Sequence, residues 1–196
     1  MNFLAHAYLS FGHPQVLAGN MISDFVKGRA QFSFNGNIQK GIRLHRQIDE
    51  FTDTHPATAE AKQVFRPYYR LYSGAIVDII YDHFLANDPA VFDLPGLKAF
   101  TELSYRQLEE QANELPPAFL NLLYYMKRDN WLYNYSGKPG IEKSLNGLVR
   151  RAAYLSESDT AYRLFLKDYA GLQACYDAFF PDVKQFAKRE FEMLLG

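Results

Sequence analysis

The chain has 196 residues, of which 48% are apolar, and a formal charge of −1 from 21 Lys and Arg against 22 Asp and Glu. This length and composition suit one domain and exclude extensive intrinsic disorder, and the charge balance excludes a globally basic nucleic-acid-binding coat. The single cysteine, Cys175, excludes a disulfide framework and a cysteine-based zinc site, and it is consistent with a reducing cytoplasm.

The first residues are apolar, and we predict that they form a buried helix rather than a signal peptide. No Lys, Arg, Asp or Glu precedes Asp24, so a basic leader region is missing, and His6, Gly12 and Pro14 interrupt the apolar run. No segment approaches the ~20 consecutive apolar residues of a membrane helix. We therefore expect a soluble cytoplasmic protein without a membrane partner.

Apolar residues recur at three- and four-residue spacing, which predicts helices and no strands. The first helix carries Phe3, Leu4, Ala7, Tyr8 and Phe11, and the second runs over 16–26. The third places on one face Ile38, Ile42, His45, Ile48, Asp49 and Thr52. Thr54 is predicted to cap a fourth helix with Pro56 in its first turn. Further helices are predicted at 70–86, 96–114, 118–134, 141–156, 159–179 and 182–195, which gives an all-α, single-domain helical bundle.

Asp78 is the acid whose position is hardest to explain as a surface charge. Apolar residues flank it on both sides, and an unpaired buried carboxylate is expensive. Asp82 lies one turn further on the same face, where like charges repel. A divalent metal, an arginine or a shared proton would relieve the repulsion. The alternative for Asp78 is a buried ion pair with an arginine of the N-terminal half: Arg43, Arg46 or Arg70.

His45 and Asp49 form an i,i+4 pair on the third helix. This spacing lets both side chains bind one metal ion, or lets the carboxylate orient the imidazole. An ordinary ion pair on a solvated face is the alternative. Asp53 extends the same face by one turn, and we interpret it as a cap or a surface acid.

His6 and Asp24 complete the set of candidate ligands. His6 lies on the apolar stripe of the first helix, where a buried histidine bonded to a carbonyl is the alternative. Asp24 follows an apolar run, and a surface charge there would oppose the helix dipole. His13 and His55 each precede a proline, and we assign both to turns. Imidazoles and carboxylates without thiols favour Mg, Mn or Fe over a structural zinc.

Basic residues are concentrated between Phe25 and Ile48, where no acid occurs. A local positive patch of this kind favours a phosphate or an acidic protein surface, and an ordinary solvated face is the alternative. The five residues of the patch are Lys27, Arg29, Lys40, Arg43 and Arg46.

The chain resembles the acyl carrier protein phosphodiesterases, a family regarded as a divergent branch of the HD-domain phosphohydrolases. The resemblance is carried by the segments 1–6, 19–28, 41–53, 78–85, 131–135 and 145–151. It implies an HD-like helical fold over 1–196. Ser23-Asp24 stands where an HD protein has a His-Asp dipeptide, so His45 or His83 is expected to replace the missing histidine.

The resemblance also implies the reaction: hydrolysis of the phosphodiester that joins 4′-phosphopantetheine to a serine of holo acyl carrier protein. It implies a divalent ion, typically Mn²⁺, with Mg²⁺ or Fe²⁺ as alternatives. The expected metal ligands are His6, Asp24, His45 and one or both of Asp78 and Asp82.

Further roles are expected for residues near these ligands. Arg46 or Lys27 would stabilise the charge that develops on phosphate, and His83 or Asp49 would protonate the departing serine oxygen. The basic patch would bind the acidic carrier protein, and no nucleic-acid partner is expected. Two other functions fit the sequence: an HD-type phosphohydrolase of nucleotides or other small phosphoesters, and a non-catalytic helical module that binds an acidic protein.

Overall fold

The computed structural model describes residues 1–196 and consists of α-helices without strands, which confirms the all-α prediction. The helices are α1 (Phe3–Tyr8), α2 (Pro14–Ile22), α3 (Gly36–Thr54), α4 (Pro56–Tyr69), α5 (Ser73–Ala86), α6 (Leu94–Glu110), α7 (Pro117–Arg128), α8 (Trp131–Asn134), α9 (Lys138–Arg151), α10 (Asp159–Lys167) and α11 (Tyr169–Leu195). Short 3₁₀ segments occupy Ser23–Phe25, Gly28–Ser33, Arg70–Tyr72 and Ala112–Glu114.

One contiguous hydrophobic core connects the helices, with buried members from Met1 to Ala187. Its largest fully buried side chains include Tyr81, Phe65, Phe119, Phe165 and Phe179. A single core of this extent supports the prediction of one domain. None of the helices combines the length and the apolar composition that crossing a membrane requires.

Helices α2 and α3 approach each other through two glycines. A Cβ atom on Gly19 would overlap the carbonyl oxygen of Ile38, and a Cβ atom on Gly41 would overlap the carbonyl oxygen of Val16. The two backbones therefore touch directly, which only glycine permits at these positions. This contact brings the end of α2 beside the middle of α3, where His45 and Asp49 lie.

Several predicted boundaries are wrong. The helices predicted over 118–134 and 159–179 are each two helices in the structure, α7 with α8 and α10 with α11. The break predicted at Pro181 is absent, because α11 runs through this proline and Phe179, Phe180 and Val183 around it are buried in the core. The helix predicted from residue 70 begins at Ser73, since Arg70 adopts a positive φ of 46°. Thr54 ends α3, and the N-cap of α4 is His55, whose Nδ1 accepts from the backbone N–H of Ala57.

Candidate metal centre

Two histidines from different helices face one carboxylate. The rings of His6 (α1) and His45 (α3) stack with their centroids 3.9 Å apart. The Nε2 atom of His6 lies 3.2 Å from Oδ1 of Asp49, and Nε2 of His45 lies 3.1 Å from Oδ2 of the same residue. One ligand atom from each of the three residues falls within 4.8 Å of the others, which is the spacing of ligands around a single ion. We call these three residues the metal cluster.

The backbone of α2 fixes the orientation of His45. Its Nδ1 lies 2.7 Å from the carbonyl oxygen of Asn20, so this nitrogen carries the proton and donates it to the carbonyl. The Asn20 side chain in turn donates to the carbonyl oxygen of His6 at 2.9 Å. A carbonyl that holds Nδ1–H directs Nε2 toward Asp24 and Asp49, as in many metal-bound histidines, and a metal ion would displace the proton of this nitrogen.

Unpartnered nitrogens show that the cluster suits a metal ion. Both ring nitrogens of His6 and Nε2 of His45 are buried without a hydrogen bond of acceptable geometry, although the two Nε2 atoms lie within 3.4 Å of carboxylate oxygens. Buried polar atoms without partners are rare and costly. An ion bound by the two Nε2 atoms and the Asp49 carboxylate would satisfy both Nε2 atoms with ligands that divalent transition metals accept.

The ionisable groups of the cluster have pKa values shifted in different directions. Burial and the neighbouring His45 together lower the pKa of His6 to about 4, which keeps this ring neutral. Burial also lowers the pKa of His45, but the carboxylates of Asp24 and Asp49 outweigh it and raise that pKa to about 9. Although burial acts to raise the pKa of Asp49, its contacts with His6, the Met1 amine and His45 hold that pKa well below its ordinary value. Asp49 is therefore a carboxylate, as a metal ligand must be.

Asp24 borders the cluster from the solvent side. Its side chain is 77% exposed, and its Oδ1 lies 3.4 Å from Nε2 of His45. Hydrogen bonding to His45 lowers the pKa of Asp24. Of the predicted ligands, the structure thus brings His6, Asp24 and His45 together. Asp49 joins them; its spacing from His45 allowed it to share a metal ion, and it was also a candidate acid.

The positive group expected beside Asp78 is an amino group rather than an arginine. The amino nitrogen of Met1 lies 3.1 Å from Oδ1 of Asp78 and 3.2 Å from Oδ1 of Asp49. Burial lowers the pKa of this amine, but Asp78 and Asp49 outweigh it and raise the pKa to about 10. The Asp78 side chain is 28% exposed, so it lies at the edge of the core instead of within it.

Asp82 and His83 are engaged outside the cluster. The Asp82 carboxylate is fully buried and accepts from the backbone N–H groups of Leu4 at 2.7 Å and Ala5 at 3.0 Å, at the start of α1. His83 places Nδ1 2.7 Å from the carbonyl oxygen of Tyr135 and Nε2 2.9 Å from the hydroxyl of Tyr169. The structure thus gives Asp82 the role of anchoring α1 and His83 the role of packing α5, instead of the ligand and acid roles expected for them.

The basic patch lies next to Asp24 and includes exposed aromatic rings. Arg46 donates to the carbonyl oxygen of Val26 at 3.1 Å and to Oε1 of Gln31 at 2.8 Å, which joins α3 to the segment that follows Asp24. None of the five basic residues lies within 4.0 Å of a carboxylate, and Lys40 alone is half-buried. The basic-apolar surface, as we call it, consists of Phe25, Lys27, Arg29, Phe32, Arg43 and Arg46.

The other acid considered on α3 is a surface residue. Asp53 pairs with Nζ of Lys62 at 2.7 Å, and its side chain is mostly exposed. The Asn20 carbonyl could not be found from the sequence, because a backbone acceptor leaves no trace in residue type. A pocket formed partly by Trp131, Lys143, Arg150 and Arg151 was not predicted either. The segments 131–135 and 145–151, which carry part of the family resemblance, and the adjacent pair Arg150-Arg151 were the signals in the sequence for this pocket.

Comparison with known proteins agrees with the geometry of the site. A family model described as acyl carrier protein phosphodiesterase matches residues 1–183. A protein named acyl carrier protein phosphodiesterase from Photorhabdus laumondii is 33% identical over 191 residues, which is 97% of this chain and 96% of the relative. Proteins with the same name from Pectobacterium atrosepticum (32%) and Klebsiella pneumoniae (33%) align over 192 residues, 97% of this chain and 99% of each relative. No solved structure matches the chain significantly.

Proposed function

The chain belongs to the acyl carrier protein phosphodiesterase family, and we propose that it hydrolyses the phosphodiester between 4′-phosphopantetheine and the serine of holo acyl carrier protein. The observation that carries the proposal is the metal cluster, in which two histidines direct their Nε2 atoms at one carboxylate. Water is added across the P–O bond to serine. The phosphate stays with the pantetheine, and the serine oxygen takes up a proton.

His6, His45 and Asp49 would hold the divalent ion, with Asp24 at its solvent side. When bound, such an ion neutralises phosphate charge and lowers the pKa of water, so that hydroxide forms near neutral pH. Mn²⁺ is the predicted ion, and the relation to HD-domain hydrolases is likewise a prediction. The Asp78 carboxylate lies next to the site and adds negative charge there, but it pairs with the amine of Met1.

The chain's own residues orient these ligands and receive the substrate. The Asn20 carbonyl holds Nδ1–H of His45 and thereby aims Nε2 at Asp24 and Asp49. Arg46 lies one residue from His45, and its guanidinium is fixed by Val26 and Gln31, which supports the proposed role in stabilising charge on phosphate. We assign Asp49 to metal binding, and we assign no acid role to His83, because Tyr135 and Tyr169 occupy both of its ring nitrogens.

The basic-apolar surface supports an acidic protein as the substrate. Its cations have no carboxylate partners within the chain, and Phe32 between them is 65% exposed. Positive charge around exposed aromatic rings suits a partner that presents acidic residues and apolar side chains together. We therefore propose that the body of the carrier protein binds here, beside Asp24.

The test is incubation of the purified protein with holo acyl carrier protein and Mn²⁺, followed by mass spectrometry of the carrier. We expect loss of the phosphopantetheine arm, appearance of 4′-phosphopantetheine, and no reaction after chelation of the metal. Equal turnover of free small phosphodiesters would favour the small-phosphoester alternative. Absence of both a bound ion and turnover would contradict the hydrolase proposal and favour a binding module.

A further inference from the structure

A pocket of about 470 Å³ opens between the start of α1, α5, α8 and α9. This volume falls within the range of small-molecule sites and is far too small for a folded protein. Phe3, Trp131 and Tyr135 supply aromatic walls, and the remaining lining is largely polar. None of these residues belongs to the metal cluster, so the pocket requires its own explanation.

The pocket adjoins the metal cluster through two chain neighbours. Asn2 and Ile79 line it, and they directly follow Met1 and Asp78, whose amino group and carboxylate meet beside Asp49. The Asn2 side chain donates to the hydroxyl of Tyr135 at 2.9 Å, which closes the wall between α1 and α8. Consecutive Cα atoms are about 3.8 Å apart, so the backbone of this wall leads directly to the groups that border the cluster.

The charge in the pocket favours an anion. Its three basic side chains, Lys143, Arg150 and Arg151, make no ion pair within the chain. The one acid of the lining, Asp129, is already neutralised by Arg128, whose Nε and Nη2 donate to its two oxygens at 2.7 and 2.8 Å. Unpaired arginines beside a phosphate-processing site suit phosphate oxygens, which they bind with matched geometry.

Amide groups in the pocket match a ligand that carries amides. Asn146 uses Oδ1 to accept from Ser158, while its NH₂ group makes no hydrogen bond within the protein. Asn2 and Asn134 use their NH₂ groups within the protein, on the Tyr135 hydroxyl and the Asp129 carbonyl, so they offer a ligand their side-chain oxygens as acceptors, and the aromatic walls cover apolar atoms. The lining thus combines basic, amide and aromatic side chains, which suit an extended phosphate ester that carries amide bonds and methyl groups.

A phosphodiester has two ester oxygens, and its two substituents leave phosphorus in different directions. The basic-apolar surface begins at Phe25, directly after Asp24, whereas the pocket begins beside Asp78, so the two lie on different sides of the cluster. We propose that the pocket of α8 and α9 binds the pantetheine arm, while the basic-apolar surface binds the body of the carrier protein. This assignment rests on the proposed function.

Gly147 offers a direct way to block the pocket. It lines the pocket within α9, and the nearest heavy atom to an added Cβ is Nη2 of Arg150 at 3.7 Å. Gly147→Leu therefore fills the pocket without a backbone clash, and replacing a helical glycine favours the helix. Gly171→Leu on α11 is the matched control, because an added Cβ there meets nothing within 4 Å and the residue lies outside the pocket.

The experiment measures binding of 4′-phosphopantetheine and of apo carrier protein to the Mn²⁺-loaded protein by calorimetry. Gly147→Leu should weaken the binding of 4′-phosphopantetheine at least tenfold and leave the affinity for apo carrier protein within twofold of the wild type. Gly171→Leu should change neither affinity. Arg150→Ala should weaken 4′-phosphopantetheine as well. Charge reversal at Arg29 and Arg43 should give the opposite pattern: the affinity for apo carrier protein falls and the affinity for 4′-phosphopantetheine stays unchanged.

Unchanged 4′-phosphopantetheine affinity in a folded, metal-loaded Gly147→Leu variant would overturn the pocket assignment. Wild-type turnover of holo carrier protein tests the proposed function separately, because it does not depend on which surface holds the arm. If the wild type turns over holo carrier protein and Gly147→Leu binds 4′-phosphopantetheine with unchanged affinity, the pocket assignment alone is wrong. Absence of turnover in the wild type would contradict the proposed function.

Discussion

At the scale of single residues, the environment of a side chain separates acids that look alike in the sequence. Asp78 and Asp82 lie one turn apart on α5, yet one meets an amine at the edge of the metal cluster and the other accepts two backbone N–H groups at the start of α1. Asp49, whose spacing from His45 allowed either a shared metal ion or an ordinary ion pair, lies between two imidazoles.

Asp49→Asn should abolish metal-dependent activity while the protein stays folded. The change keeps the shape of the side chain but removes the charge that faces His6 and His45. Loss of an outer-sphere partner costs about 10–100-fold in metal affinity, so loss of a direct ligand should exceed about 100-fold. Metal content and turnover of holo carrier protein measure the effect. Asp53→Asn, which removes a surface charge one turn away, should leave both unchanged.

Asp82 should make stability depend on pH in a defined direction. Burial raises the pKa of this carboxyl to about 7 in the folded protein, against about 3.8 for an ordinary aspartate. The native state therefore binds more protons than the unfolded state between these values, and the contribution of Asp82 to stability falls as pH rises from about 4 to about 7.

Chemical denaturation of the wild type and Asp82→Asn across this pH range measures that contribution. The variant should be less stable by about 1–3 kcal/mol at low pH, because one backbone N–H of α1 loses its acceptor. The difference should shrink as pH rises. A difference that grows with pH would show that the carboxylate, and not the acid, is the form that the fold prefers.

At the scale of helices, backbone contact between α2 and α3 sets the position of the site. Gly19 and Gly41 allow the approach that brings the carbonyl oxygen of Asn20 to Nδ1 of His45. Asp24 follows α2 in the 3₁₀ segment Ser23–Phe25, so the same approach determines its distance from His45. The glycines therefore couple stability to the geometry of the metal cluster.

Gly41→Ala should destabilise the protein and weaken metal binding together. The added methyl group would overlap the backbone of α2 at Val16, and such overpacking costs about 1–3 kcal/mol or more. Gly36→Ala is the control on the same helix, since an added Cβ there meets nothing within 4 Å. Thermal unfolding with and without Mn²⁺ compares the two variants, and equal melting temperatures would contradict the proposed backbone contact.

At the scale of the whole molecule, charge is distributed unevenly although the sum is near zero. The basic-apolar surface lies on one side of the metal cluster, and the pocket with Lys143, Arg150 and Arg151 lies on another. Such local fields attract acidic partners and speed their association even when the net charge is small.

Replacing Arg29 and Arg43 with Glu should raise KM for holo carrier protein at least tenfold with little change in kcat. The change removes attraction to an acidic partner, so the rise of KM with salt should become shallower. Steady-state kinetics at several salt concentrations measures both effects. Lys98→Glu with Arg106→Glu changes the net charge equally on α6, and a matching rise of KM there would remove the surface from the docking proposal.

The sequence by itself determined the helical fold and the types of candidate ligand, because periodicity reports which face of each segment is buried and residue type reports its chemistry. His6, Asp24 and His45 could be named in advance for this reason. Periodicity carries no information about what lies opposite a face. The tertiary structure therefore decided that Asp49 joins the cluster, that Asp82 anchors α1, and that residues from 131 to 151 form a pocket beside the start of the chain.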